Sequence, residues 1–218
     1  RSYAMPKMDV NGTTLHYHVQ GEGVPIVFIH PPTLTSENFN YQRETLSDEF
    51  RIITFDIRGH GYSAATDAPL TYPLIVEDMT RLLDALDIKQ CFVCGYSTGG
   101  SIALEALLTY PDRYRGGILL SGMPEISDRW NRARLRAAIA ATYLPSGKLI
   151  SSAISWGNAD MGITFRNLYE SALQGNAGQF RSYYAYSLRY NCTDRVNRIK
   201  QPVLLMYGLK DKSFHRYA

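Results

Sequence analysis

These 218 residues contain only three cysteines and two tryptophans, and no apolar run longer than a strand. Runs such as Ile26 to Ile29 and Ile118 to Leu120 are far shorter than the roughly 20 residues that span a bilayer as a helix, so no membrane association is expected. Internal repeats and low-complexity stretches are absent. Charge of one sign is scarce too: 23 Lys and Arg against 20 Asp and Glu leave a net +3. With no basic stripe interleaved with stacking aromatics, nothing argues for a nucleic-acid partner. Cys91, Cys94 and Cys192 make no disulfide framework. The spacing Cys91-Phe-Val-Cys94 matches a redox motif, but it falls in an apolar strand pattern, which sends residues three apart to opposite faces. Core packing is therefore the reading rather than redox or metal chemistry, and reduced thiols suit a cytoplasmic protein. No charged-then-apolar leader precedes Met5, so a secretory signal is not expected. Arg1 to Ala4 read as a remnant added ahead of a natural start.

What is present is an ordinary globular balance, 45% hydrophobic and 20% charged, enough for one domain with a small subdomain. Met8 to Val10 and Leu15 to Gln20 flank Asn11-Gly12, a hairpin signal. Val24 to Ile29 reads as a buried strand. Ser36 to Phe50 reads as a helix with Ser36 as its N-cap. Arg51 to Phe55 is a short strand, followed by a glycine-bearing loop from Asp56 to Ser63. Tyr72 to Leu86 is an amphipathic helix with Pro73 in its first turn. Further strands are expected at Lys89 to Cys94, Gly116 to Leu120 and Pro202 to Tyr207, with a helix from Thr98 to Tyr110. Strands alternating with helices predict an α/β fold, a mostly parallel sheet flanked by helices on both faces. Between Met123 and Ile199 the strand rhythm stops and tyrosines accumulate. Residues 126–195 therefore read as a helical cap inserted into a core of residues 1–125 and 196–218. Arg129, Arg132, Arg134 and Arg136 lie on its first helix. Helical spacing scatters them around the axis, so a solvated face is the plain reading and contact with an anionic substrate or partner the other.

Gly95-Tyr96-Ser97-Thr98-Gly99 stands between an apolar strand and a helix, the context of a nucleophile elbow. A strand that turns into a helix at one residue forces that residue into a strained backbone. It also brings the positions two before and two after it close together, which glycine permits at both. The serine oxygen then projects above the carboxyl ends of the strands, where open sheets bind ligands, at the positive end of the next helix. With this elbow, Val27-Phe-Ile-His30 before a turn, Asp56-Ile-Arg-Gly-His-Gly-Tyr-Ser63, and Leu204-Leu-Met-Tyr-Gly208 to Asp211, the chain resembles the α/β-hydrolase family over almost its whole length. The resemblance implies Ser97 as nucleophile and Asp211, between Lys210 and Lys212, as triad acid. It implies Thr98 as an oxyanion N–H donor, no cofactor and no metal. A serine in the elbow, not aspartate, sets the chain apart from that family's haloalkane dehalogenase and epoxide hydrolase branches. His30 is expected to support the oxyanion loop, Arg58 and His60 to organise theirs, and His16 and His18 to lie away from the chemistry.

Two features depart from the family pattern. Pro31-Pro32 follows His30, and Pro32 occupies the oxyanion position that donates a backbone N–H in relatives. Proline has none, so the second donor is expected to shift to Thr33 or be lost. The triad histidine is expected one helix and one strand after the acid, yet only His215 follows Asp211, four residues on. The chain thus reads as C-terminally truncated relative to the family. The sheet edge at Pro202 to Tyr207 is then uncovered, and a homodimer through that edge is expected. The function implied is hydrolysis of a small-molecule ester, lactone or related acyl bond through an acyl-enzyme. The alternative is a receptor or signalling partner of the same fold with slow or no turnover.

Overall fold

The computed structural model describes residues 6–145 and 162–218. Seven strands form one sheet, β1 (Lys7–Val10), β2 (Thr13–Gln20), β3 (Val24–Ile29), β4 (Phe50–Phe55), β5 (Cys91–Tyr96), β6 (Tyr114–Leu120) and β7 (Val203–Met206), in the order β1-β2-β4-β3-β5-β6-β7. The β1–β2 hairpin and the β2–β4 pair are antiparallel, and every other pair is parallel. The continuous apolar run of β3 is explained by its place: Ile26 pairs with Ile52 of β4 on one side and Phe92 of β5 on the other. Alternation then divides its side chains. Val27 and Ile29 join Ile53, Phe55 and Val93 in the larger core, under α2 (Tyr72–Ala85) and α3 (Thr98–Thr109). Ile26 and Phe28 join Ile52 and Phe39 in the smaller one. Cys91 and Cys94 separate the same way, one into each core. All three cysteines are free and buried, and burial pushes the thiols of Cys91 and Cys94 up to about 12.

The sequence reading of one helix from Ser36 to Phe50 gives way to three pieces. A 3-10 turn, Ser36–Phe39, is capped not by Ser36 but by Thr35, whose Oγ1 accepts from the Glu37 N–H at 3.2 Å. Helix α1 (Asn40–Leu46) follows, and Phe50 already belongs to β4. The cause is tertiary: the Ser36 N–H donates to Asp56 Oδ1 at 2.8 Å, and Phe39 packs on Phe28 with ring centroids 5.1 Å apart. Strand β5 runs on to Tyr96 rather than ending at Cys94, because its ladder with β6 continues to Tyr96 opposite Leu120.

The loop after β4 is tied down by charge. Arg58 grips Asp78 of α2 with Nη2 on Oδ1 at 2.7 Å and Nε on Oδ2 at 2.9 Å, both side chains buried. Asp56 accepts from His16 Nδ1 (2.8 Å), Ser36 N–H and Tyr62 N–H. Burial alone would raise its carboxyl, but these donors and the neighbouring histidines hold it down to about 2. After β6 come α4 (Arg129–Ala141), α5 (Gly162–Ala172) and α6 (Ala177–Arg189); α4 and α6 line a cavity with Pro31, Ser97 and Ser121 at the carboxyl ends of strands, and Leu168 and Ala172 of α5 pack on Leu34. Phe180 and Tyr184 of α6 pack on Leu135, Ala138 and Ile139 of α4. Among the described residues, 126–195 supply no strand to the sheet; positions 146–161 of that stretch lie outside the described residues. No helix among the described residues is long and apolar enough to cross a membrane.

Two expectations follow. First, burial lowers the pKa of His60 to about 3 and also lowers that of His30. Both stay neutral in the fold while an unfolded histidine protonates near 6.5, so each costs stability as pH falls below about 6.5, at up to about 1.4 kcal/mol per pH unit. Asp56 acts in a separate window, its contribution present above about 3.9 and lost toward pH 2. Urea unfolding between about pH 6 and pH 4.5 should therefore show stability falling with acid, and His60→Gln should flatten that slope by about one proton. An unchanged slope contradicts the assignment. Second, among the described residues β7 has no partner on its outer side, and Leu204, Leu205 and Met206 are 56%, 42% and 50% exposed. Such an edge is an association hazard. Sedimentation of the 218-residue chain should show self-association that Leu204→Lys with Met206→Lys reduces; a monomer at about 100 μM, where any pair with a Kd of about 1 μM is mostly dimeric, would sink it.

Candidate functional site

Ser97 stands alone between β5 and α3, with φ 54° and ψ −121°. A non-glycine residue held there stores about 1–3 kcal/mol of strain. The surrounding backbone imposes it: the Ser97 N–H donates to Leu120 O at 2.8 Å, and the Gly100 N–H to Ser97 O at 2.9 Å. A Cβ on Gly95 would stand 2.1 Å from the carbonyl oxygen of Gly99, and one on Gly99 would stand 2.3 Å from that of Ile29. Both obstacles are backbone atoms that cannot swing aside. The Ser97 hydroxyl makes no capping hydrogen bond to α3; it lines a cavity of about 630 Å³. Thr98 lines the same cavity, and its N–H is the first of α3, a position without an intrahelical acceptor.

Asp211 reaches the cavity from the far end of the chain. It precedes the short helix α7 (Lys212–His215), and its Oδ2 accepts from Ser121 Oγ at 3.0 Å. Ser121, directly after β6, is itself strained at φ 49°, with its N–H on Met206 O at 2.8 Å. Pro31 and Pro32 form another part of the wall. Thr33 does not line it: it is fully buried with φ 73°, and its Oγ1 lies 2.8 Å from Tyr184 Oη. His30, just before the two prolines, accepts the Ile57 N–H on Nε2 at 2.9 Å, so its Nδ1 carries the proton and donates to Pro31 O at 2.8 Å. The Tyr183 hydroxyl donates to His30 O at 2.9 Å. The α6 tyrosines thus pin the loop that carries the two prolines.

None of the five histidines lines the cavity. His16 is bound to Asp56; His18, half-buried and lowered to about 4 chiefly by burial, faces His16 at 4.7 Å. His60 is stacked among His30, Phe180 and Tyr183, with Nδ1 3.2 Å from Arg58 O. His215 is exposed, its Nε2 2.8 Å from Gly208 O. The structure therefore brings Ser97, Thr98, Pro32 and Asp211 together, and leaves Thr33 and every histidine outside. Sequence reasoning missed Ser121, whose only signal is its place at the carboxyl end of an apolar strand. It also left Arg134 undivided from its neighbours. Arg129 and Arg136 are exposed, and Arg132 Nη1 donates to Ile126 O and Leu188 O, but Arg134 lines the cavity.

The Ser97 corner and the loop that carries Asp211 meet at one cavity of a mostly parallel sheet, and comparison with known proteins identifies the fold. Residues 24–218 match the family model for the alpha/beta hydrolase fold, and the chain belongs to that family. It is 28% identical over 226 residues to a non-heme chloroperoxidase of Streptomyces lividans, covering 93% of this chain and 80% of that protein. An epoxide hydrolase of Caballeronia sordidicola is 37% identical over 114 residues, 51% of this chain and 35% of its own. The enol-lactonase from Burkholderia xenovorans LB400 superposes with a TM-score of 0.83 at 23% identity, covering 94% of this chain and 81% of that one, a likeness of fold. This kinship supports a hydrolytic function in general.

The elbow should be intolerant of a single methyl group. Gly99→Ala is expected to cost about 1–3 kcal/mol in urea unfolding, the usual range for overpacking. A variant as stable as the parent would show that the Gly99–Ile29 contact is slack.

Proposed function

We propose that the chain carries the nucleophile and acid of a serine hydrolase that cleaves a small carboxylic ester, lactone or related acyl bond. The observation that carries this is Ser97 at φ 54°, uncapped and lining the same cavity as Asp211. In this reading Ser97 Oγ attacks the acyl carbon and its proton passes to an imidazole oriented by Asp211, which Ser121 holds in place. The Thr98 N–H stabilises the oxyanion of the tetrahedral intermediate. Collapse expels the alcohol with that proton, and water releases the acid from the acyl-enzyme. Residues 126–195 act as a cap that shapes the substrate pocket, and the serine weighs against epoxide opening despite the likeness over half the chain. The buried free thiols suit the cytoplasm.

The imidazole is the part that these residues do not supply, since none of the five histidines lines the cavity. A histidine from sequence outside the 218 residues would complete the triad. The slow-turnover receptor reading has its own support: Pro32 puts no N–H at the oxyanion position and Thr33 lies outside the lining. Loss of one oxyanion donor costs about 10²–10³ in turnover.

Hydrolysis of p-nitrophenyl butyrate separates the two. The 218-residue chain should turn over almost nothing, and a form extended past Ala218 should be active. Ser97→Ala in that form should lose activity by a factor approaching the roughly 10⁶ seen when a triad serine is removed. Equal activity in both forms would make one of the histidines described above the base. Activity that survives Ser97→Ala would end the serine hydrolase reading.

A further inference from the structure

The cavity over Ser97 has a charge pattern that attack on an acyl carbon does not itself require. Much of its wall is apolar, with Met123, Ile126, Leu135 and Ala138 among the lining residues. Yet three cationic residues, Arg134, Lys210 and Lys212, line it alongside one carboxylate, Asp211. Lys210 and Lys212 are exposed; Arg134 is half-buried on α4. The attraction between a guanidinium and a bound carboxylate is stronger beside an apolar wall than in bulk water.

Arg134 is also held in position. Asp128, the N-cap of α4, accepts the Asn131 N–H at 2.8 Å on Oδ1 and the Asn131 Nδ2 at 3.0 Å on Oδ2. With its amide nitrogen so engaged, buried Asn131 turns Oδ1 toward Arg134, whose Nη1 donates to it at 3.3 Å. The relay is anchored from the other end of the chain: the Tyr217 hydroxyl donates to Asp128 Oδ2 and accepts the Ser127 and Asp128 N–H groups at 3.1 and 3.2 Å. Arg134 also acts on Tyr96, next to the nucleophile position. Burial and the Asp211 carboxylate push the Tyr96 hydroxyl up, and the guanidinium opposes them.

We propose that the cavity selects an amphiphilic acid, an ester or lactone whose apolar body lies along α4 and whose carboxylate sits against Arg134. Lys210 and Lys212 add to the field, and the scissile carbonyl is left at Ser97. This rests on the reading of the Ser97 cavity as the reaction site.

The test is calorimetric binding of two probes with the same six-carbon body, monoethyl adipate (anionic) and diethyl adipate (neutral), to the 218-residue chain. The half-ester should bind about tenfold tighter or better in low salt, a difference of about 1.4 kcal/mol. Arg134→Gln should bring the ratio to about one while leaving diester affinity within about twofold; Arg134→Lys, which keeps the charge without the planar fork, should retain part of the preference. Lys210→Gln with Lys212→Gln should lower mainly the component that about 0.5 M salt screens. Equal binding of the two probes, a preference that survives Arg134→Gln, or no half-ester binding up to about 10 mM overturns the proposal. The underlying reading fails separately: Ser97→Phe should block both probes, and unchanged binding to that variant would place the site elsewhere.

Discussion

Where β5 becomes α3, the carbonyl of Gly99 fills the space that a side chain on Gly95 would need, and Gly99 in turn lies against the carbonyl of Ile29. This backbone-on-backbone approach locks the start of α3 onto the end of β3. With that junction closed, Ser97 has no relaxed conformation to adopt, and its hydroxyl is left over the carboxyl edge of the sheet instead of capping the helix. Strain of this kind persists only where the surroundings over-determine it. Here they do so through the Leu120 and Gly100 hydrogen bonds and through ten consecutive buried residues of α3, Thr98 to Leu107.

The rest of the cavity is assembled around that corner from distant parts of the chain. The proline loop is held from below by His30, whose neutral ring bridges the Ile57 N–H and Pro31 O, and from above by Tyr183 and Tyr184 of α6. The next loop is fastened to α2 by the Arg58–Asp78 pair, a buried bidentate contact of the kind that is strongly destabilising to break. Asp211 is fixed by Ser121, and α4 is tethered through Asp128 to Tyr217. The chemistry-bearing side chains of the cavity thus rest on secondary-structure ends fixed by hydrogen bonds, the condition under which a site keeps its geometry.

Much of this architecture was legible from residue patterns. The apolar run of Val24 to Ile29 marked the buried central strand because both its faces are covered, and Gly95 and Gly99 marked the elbow because sterics leave few alternatives there. The helix read through Ser36 to Phe50 failed for a reason no local pattern carries: Asp56, twenty residues away, captures the Ser36 N–H. Ser121 and the division among the four arginines were hidden likewise, since a serine after a strand and an arginine on a helix look alike whether or not the fold turns them to a cavity. Thr33 stays outside the cavity lining, and its side chain meets Tyr184, supplied by a helix 151 residues on, a contact that no local pattern carries.

The central claim is that the strained corner makes Ser97 the atom that meets the substrate, with Thr98 N–H beside it. A crystal structure of the chain soaked in phenylboronic acid tests this most directly, because a tetrahedral boronate mimics the intermediate without needing turnover. The account predicts boron bonded to Ser97 Oγ, one boronate oxygen within hydrogen-bond distance of the Thr98 N–H, and Ser97 still at positive φ. Boronate bound away from Ser97, or Ser97 relaxed to helical angles, would contradict it.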